Sequence, residues 1–419
     1  MNRQYKLNKW IVLWSATGVS VIVGILYVWS VISEGLMIEL GWTSTQATRP
    51  FTVFGLCMAT GFFIAGLVMD RLGPRVCILA SGILMGVGLV VCGIFTTPWM
   101  VALGFGVICG AGVGMGNCAS IAPPIKWFPD SKKGMASGIV LAGIGVSAVL
   151  YSPLSRHLMG AFGIANTFLI LGATAFIAMY LLAFNMYDPP PGYDRERGMI
   201  ALTAETAGAG NIQQSAAQSE GDVPTRDMLK TLNFYLMFAI FALSTSSGLM
   251  ITGHAAKIAL VQTGWGGGFL LVIVLNIFSA VGRFLGGVIS DEIGRVNMLK
   301  LTFAAQALNM ILFRYYTSVP LMVFGIMVTG FCFGTIFAVM PPLTADLYGL
   351  KHFGSNYGSV FLAWGIGGLL GPMTAAAAYD TAVQAGVAAG AYNMAYMIAS
   401  GLSLSSLALV FCLRRPKTH

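Results

Sequence analysis

The chain has 419 residues, of which 57% are hydrophobic and only 9% charged. Its mean hydropathy is +0.80. Soluble domains carry about 25% charge, so the composition excludes a water-soluble globular protein and specifies an integral membrane one. The formal net charge of +8 lies in short loops between apolar runs, which reads as a topology determinant and not as a nucleic-acid surface.

The apolar segments are rich in glycine and about twenty residues long, where a membrane barrel would show alternating segments of about ten. They predict an all-α bundle of twelve transmembrane helices. The first six spans fall near 10–32, 47–69, 76–96, 99–122, 134–155 and 162–185. The first is too long, and too well integrated with the later spans, for a cleaved signal peptide. Between the sets lies 186–231, with a Pro triplet, a mixed-charge run and a polar Ala/Gly/Gln/Ser segment. It reads as a flexible cytoplasmic linker ending in a short surface helix near 225–231. The second six spans fall near 232–254, 268–290, 297–315, 320–342, 356–379 and 391–413. The expected organisation is therefore an N-terminal bundle (1–185), the linker (186–231) and a C-terminal bundle (232–419). The seven cysteines sit within or beside apolar segments without metal spacing, so they are packing residues and no metal is expected.

Lys and Arg fix the orientation. Eighteen fall on one side of the predicted spans and four (Arg49, Arg156, Lys257, Arg314) on the other. The positive-inside rule places both termini in the cytoplasm of a multi-pass protein, expected in the cell inner membrane.

GLVMDRLGPR at 66–75 and GVISDEIGRV at 287–296 share Gly66/Gly287, Asp70/Asp291 and Gly73/Gly294, each pair 221 residues apart. The copies end the second span of each half, which predicts two six-helix bundles related by a pseudo-twofold along the membrane normal. The span at 268–291 also carries one interior cation, Arg283. It lies about 12 Å from the end marked by Asp291, near the middle of a hydrocarbon core about 30 Å thick. An arginine there costs at least about 2.5–3.5 kcal/mol on insertion scales unless it meets a polar cavity or a partner. Asn276 and Ser279, seven and four residues earlier, share its helical face. Amide, hydroxyl and guanidinium together read as an anion site. The glycines of 104–116 lie in an apolar helix without strand–turn–helix context, so they read as helix packing and not a nucleotide loop. No nucleophile–base pair or phosphate loop can be assembled, so neither an enzyme nor a cofactor is expected.

The Gly-x-x-x-Asp-Arg-x-Gly-x-Arg pattern resembles the loop signature of the major facilitator superfamily, which implies an inner-gate role for Asp70, Arg71, Arg75, Asp291 and Arg295. A narrower resemblance lies in KWFPDSKKGMASG at 126–138, joined by AVGRFLGG, TLNFYLMF and NYGSVF. Together these are similar to the oxalate/formate antiporter and monocarboxylate transporter group, over essentially all twelve spans. The resemblance implies a monomeric carrier whose substrate cavity takes Leu26 and Tyr27, Asn117, Gly143 and Ile144, Asn276, Ser279 and Arg283, Phe333 and Phe337, and Trp364.

Two departures from that group are informative. Where its oxalate-exchanging branch has a lysine, this chain has Trp364, so one cation faces one carboxylate. Where animal monocarboxylate transporters have an aspartate one turn before the arginine, this chain has Ser279. The expected function is transport of a small monocarboxylate, lactate- or pyruvate-like, in symport with a proton. The proton would ride on the substrate as its neutral acid, on Tyr27, or on His254 and Lys257 near the outer end of the seventh span. The alternatives are antiport of organic anions of the oxalate/formate type and a membrane receptor that binds without transporting.

Overall fold

In the computed structural model the described residues are 8–190, 193–195, 199–200, 222–252, 254–384 and 392–413. Eleven of their helices are long and apolar enough to cross a bilayer. One of these, Lys133–Ala183, is broken at Gly163 (φ 75°, ψ 170°), a left-handed conformation that favours glycine. It therefore makes two spans, and the total is the twelve expected from the sequence. Helices dominate because a lipid-embedded backbone must satisfy its N–H and C=O groups internally.

The spans are α1 (Lys9–Leu40), α2 (Ser44–Leu72), α3 (Pro74–Ile94), α4 (Pro98–Trp127), α5 (133–162) and α6 (164–183). The second set is α7 (Leu232–Thr252), α8 (Phe269–Ile293), α9 (Arg295–Phe313), α10 (Val319–Tyr348), α11 (Phe353–Gln384) and α12 (Asn393–Cys412). α1 tightens to a 3-10 helix over Gly24–Val28 and α4 widens to a π-helix over Ala102–Cys109. The first span is longer than the sequence pattern indicated, because the polar residues Ser33, Glu34 and Glu39 remain helical past the apolar run. The strands described are a two-residue antiparallel pairing, Tyr193–Asp194 with Met199–Ile200, outside the spans. Large apolar side chains such as Ile83, Phe176, Leu301 and Phe411 are exposed on the outer faces of the helices, the surface that lipid covers.

Glycines set how closely the halves meet. A Cβ placed on Gly66 of α2 would lie 2.1 Å from the Gly354 carbonyl oxygen of α11, and one on Gly287 of α8 would lie 2.1 Å from that of Gly134 on α5. Only backbone-to-backbone approach permits such contacts. The same equivalence recurs farther in. Gly365 would strike the Ala59 Cβ and Gly145 the Ala280 Cβ; Gly114 would lie 2.0 Å from the Met58 oxygen and Gly334 2.0 Å from the Ser279 oxygen. In these contacts each residue of α2 matches one 221 positions later on α8, and each of α4 or α5 matches one 220 positions later on α10 or α11. The pseudo-twofold first seen in one loop motif thus runs through four helix pairs. Two equivalent seams, α2–α11 and α5–α8, join the halves.

Candidate functional site: a buried arginine between two glycine seams

The repeated loop motif, for which the resemblance implies an inner gate, terminates both seams. Gly73 (φ 82°) and Gly294 (φ 87°) make the sharp turns after α2 and α8. The aspartate before each turn caps a helix of the opposite half. Asp70 accepts hydrogen bonds from the backbone N–H of Gly354 (3.0 Å) and Ser355 (2.8 Å) and from the Ser355 hydroxyl. Asp291 accepts from Gly134 N (2.9 Å) and Met135 N (2.7 Å). A carboxylate at a helix N-terminus meets unpaired N–H groups and the positive end of the macrodipole.

The two copies differ in their cations. Arg295 is buried and pairs with Asp291 and, at 3.4 Å, with Asp346. Asp346 also takes Lys133 (3.1 Å), which reaches Asp130 as well (3.0 Å). Arg71 is exposed, and Arg75 lies over the Phe184 ring at 4.6 Å. The hydrogen bonds that cross between the halves, among the described residues, run from this gate face inward as far as Arg283. They include the Ser137 hydroxyl on the Ala338 carbonyl at 2.8 Å. This end of the bundle is shut.

Arg283 lies beneath the gate in the α5–α8 seam, 3% exposed. Its Nη1 donates across the seam to the Leu141 carbonyl (3.0 Å), and the guanidinium stands 5.3 Å from the Phe337 ring centre. Its Nε has no hydrogen-bond partner, and it makes no ion pair among the described residues. Gly138 lets the two backbones approach: a Cβ there would lie 2.4 Å from the Arg283 carbonyl oxygen.

An aromatic series extends from the arginine. Phe337 contacts Phe333 (centroids 5.1 Å apart) and Phe241 (5.6 Å); Phe241 contacts Phe361 (6.0 Å), which stacks on Trp364 (5.5 Å). Phe361 also stacks at 3.9 Å on Phe62 across the α2–α11 seam. Asn117 on α4 is 2% exposed with its Oδ1 unpartnered.

The structure thus brings Arg283, Phe337, Phe333 and, through two further rings, Trp364 into one series. Ile144 is buried one turn beyond Leu141. Ser279 is buried, with its carbonyl against Gly334. Asn276 is half-buried and its Nδ2 is engaged by the Val272 carbonyl at 2.8 Å. Leu26 packs against the core. Gly143 faces away from the seam: its Cβ would meet the Thr17 oxygen of α1 at 2.8 Å. The Tyr27 side chain lies outside the described residues.

His254 and Lys257 are not part of the series. His254 Nδ1 pairs with the Tyr392 hydroxyl (3.2 Å), and Lys257 sits 3.7 Å from the Tyr379 ring centre, both at the end opposite the gate. Burial pushes the His254 imidazole below its ordinary range, with the Pro372 carbonyl pulling the other way.

The sequence reading missed Leu141, whose contribution is a backbone carbonyl, and the seam residues Phe62, Phe361 and Tyr357. Tyr357 is 1% exposed, its hydroxyl has no partner, and its ring meets Phe62 edge-on at 5.5 Å. The loop motif's offset of 221 leads from Arg283 to Phe62; the pair Leu141 and Phe361 needs the offset of 220 that relates α5 to α11.

Two six-helix halves meeting along two seams, with a buried cation in one of them, are the architecture of a polytopic membrane transporter. The chain belongs to the Major Facilitator Superfamily, whose model matches residues 13–372. It is a transporter and not an enzyme. It is 25% identical over 369 residues to the uncharacterized MFS-type transporter YhjX of Escherichia coli strain K12 (87% of each chain). It is 25% identical over 362 residues to the oxalate:formate antiporter of Oxalobacter formigenes (85% of this chain, 81% of that one). It is 23% identical over 336 residues to monocarboxylate transporter 13 of Rattus norvegicus (78% and 72%). Among solved structures, the proton:xylose symporter XylE bound to 6-bromo-6-deoxy-D-glucose superposes with a TM-score of 0.75 at 12% identity, over 97% of this chain and 96% of that one. This last likeness concerns the fold.

Proposed function

We propose that the protein carries small monocarboxylates of the lactate or pyruvate kind, in symport with a proton. The observation that carries this reading is Arg283: one buried cation at the junction of the halves, without an ion pair among the described residues, walled by aromatic rings. One guanidinium balances one carboxylate, and a second negative charge would stay uncompensated at low dielectric. Asn117 and Ser279 supply polar neighbours. Leu26, Tyr27, Ile144, Phe333, Phe337 and Trp364 limit the size of the rest of the substrate. In this reading 1–185 and 232–419 are the rocking halves, 186–231 links them, the gate face is cytoplasmic, and the carrier works as a monomer in the inner membrane.

The relatives named for monocarboxylate transport and for oxalate:formate antiport support an organic-anion substrate. The antiporter likeness favours exchange as the second reading; Trp364, an uncharged side chain, argues against a dianion. The test is uptake of labelled L-lactate by proteoliposomes under an inward proton gradient. Accumulation that an ionophore abolishes is expected. Uptake indifferent to the gradient but dependent on internal formate or oxalate means exchange, and no uptake under either condition overturns the substrate assignment.

A further inference from the structure

The two edges of the Arg283 guanidinium are in different circumstances. Nη1 is committed to the Leu141 carbonyl on the opposite half, whereas Nε on the other edge is buried and unpartnered. At the pseudo-equivalent place in the α2–α11 seam, Phe62 stacks on Phe361. Phe62 precedes Arg283 by 221 residues, and Leu141 precedes Phe361 by 220. The same two backbone positions therefore join the halves twice, once by ring stacking and once by a charged hydrogen bond. Only the second involves a group that an anion can neutralise.

We propose that Arg283 is a latch as well as a ligand. Its Nη1 holds the α5–α8 seam shut, and its Nε–Nη2 edge takes the carboxylate side-on. A single guanidinium thereby couples occupancy of the site to opening of the gate face. The role of the Nε–Nη2 edge rests on the carboxylate reading above; the latch does not.

The physical basis is competition for charge. A cation buried in a seam donates strongly to a backbone carbonyl, because parting from it would leave the charge without a partner. A carboxylate bidentate on the other edge supplies that partner. Once neutralised, the guanidinium leaves Leu141 at smaller cost, and the seam separates with the substrate attached. Lysine cannot do both, since its one ammonium group lacks two separate edges.

The latch is testable without any substrate. Spin labels at Ser131 and Glu292, both exposed and on opposite sides of the seam at the gate face, report its width by double electron–electron resonance. The background replaces the exposed Cys412 and half-buried Cys57 by serine. With no anion added, the native arginine is expected to give mainly the short distance. Arg283→Met is expected to raise the open-to-closed ratio by at least about 10-fold, the lower end for losing one hydrogen bond from a charged donor. Arg283→Lys, a second variant that keeps a donor, is expected to stay closed and to remain closed when L-lactate is added. A Met variant with the same distance distribution as the native protein overturns the latch, as does a Lys variant that opens without ligand. A native protein that stays closed with L-lactate while the Met variant opens would retain the latch and reject the substrate assignment.

Discussion

Filling the α2–α11 seam tests whether it is a gate. A Cβ at Gly66 would sit 2.1 Å from the Gly354 carbonyl oxygen, with the carbonyl carbon at 2.6 Å. Ordinary contacts between such atoms lie above 3 Å, so Gly66→Val requires the helices to part by roughly 1 Å. The obstructing atoms are backbone on both sides, and no rotamer change relieves them. Overpacking of this kind costs about 1–3 kcal/mol. The cost falls on the closed arrangement alone, because separated helices no longer present the oxygen. The balance between gate-open and gate-closed forms should therefore shift by about 5–150-fold toward open. The reporter is a cysteine introduced in place of Ser137, which is fully buried beneath the gate with its hydroxyl on the Ala338 carbonyl. In membranes exposing the gate face to a membrane-impermeant thiol reagent, Ser137→Cys should react slowly alone and at least about 5-fold faster with Gly66→Val. Gly287→Val, against the Gly134 carbonyl, should do the same. Gly160→Val is the control, since a Cβ there meets nothing within 4 Å. Equal labelling with Gly66→Val and Gly160→Val would refute the reasoning and leave the seam a static packing contact.

The two gate aspartates should respond unequally to neutralisation. Asp70→Asn loses the charge on three cross-half hydrogen bonds, whereas Asp291→Asn also strips buried Arg295 of one of its two carboxylates. Both should speed labelling of the Ser137→Cys reporter, and the Asp291 variant should melt lower in detergent; identical melting would mean that the Arg295 pair is energetically neutral. His254, held below its ordinary range, favours the neutral imidazole in the fold. Its contribution is complete above the unfolded value of about 6.5 and is lost as pH falls through the lower folded value. His254→Gln should therefore flatten the acid side of a Tm-versus-pH curve; an unchanged slope would place the acid sensitivity elsewhere. Trp364→Lys should let oxalate inhibit lactate uptake by supplying a second cation, and an oxalate-insensitive variant would remove Trp364 from the substrate wall.

The membrane class, the twelve spans and the repeat were legible because each follows from local chemistry. Long apolar runs must become helices in lipid, and Gly73 and Gly294 mark turns that only glycine makes easily. Arg283 stood out because a charge at that depth has few alternatives to a site. Its partner did not, because the Leu141 carbonyl has no side-chain signature and depends on α5 approaching α8 along Gly134, Gly138 and Gly145. Those glycines read as generic helix packing until their equivalents Gly354, Gly358 and Gly365 are aligned with them. The offsets explain the difficulty: 221 residues relate α2 to α8, but 220 relate α5 to α11. A single fixed period misses one seam. Gly143 shows the reverse error of scale. Two residues from Gly145, it turns to the far side of the helix and packs on α1.

The aligned halves also show how a symmetric scaffold carries an asymmetric charge. Position 62 of α2 corresponds to 283 of α8, and 117 of α4 to 337 of α10. The N-terminal half holds a phenyl ring and an amide at these places; the C-terminal half holds a guanidinium and a phenyl ring. Cation and ring lie together in one half, 5.3 Å apart, and ring stacks on ring in the other seam. An arginine at both equivalent positions would place one cation in each seam, which suits a dianion and repels itself when empty. An aromatic at both would leave nothing to recognise charge. One of each gives the central axis a single positive pole and an apolar remainder. The proposed substrate, a small monocarboxylate with one charge and a short apolar body, matches that division.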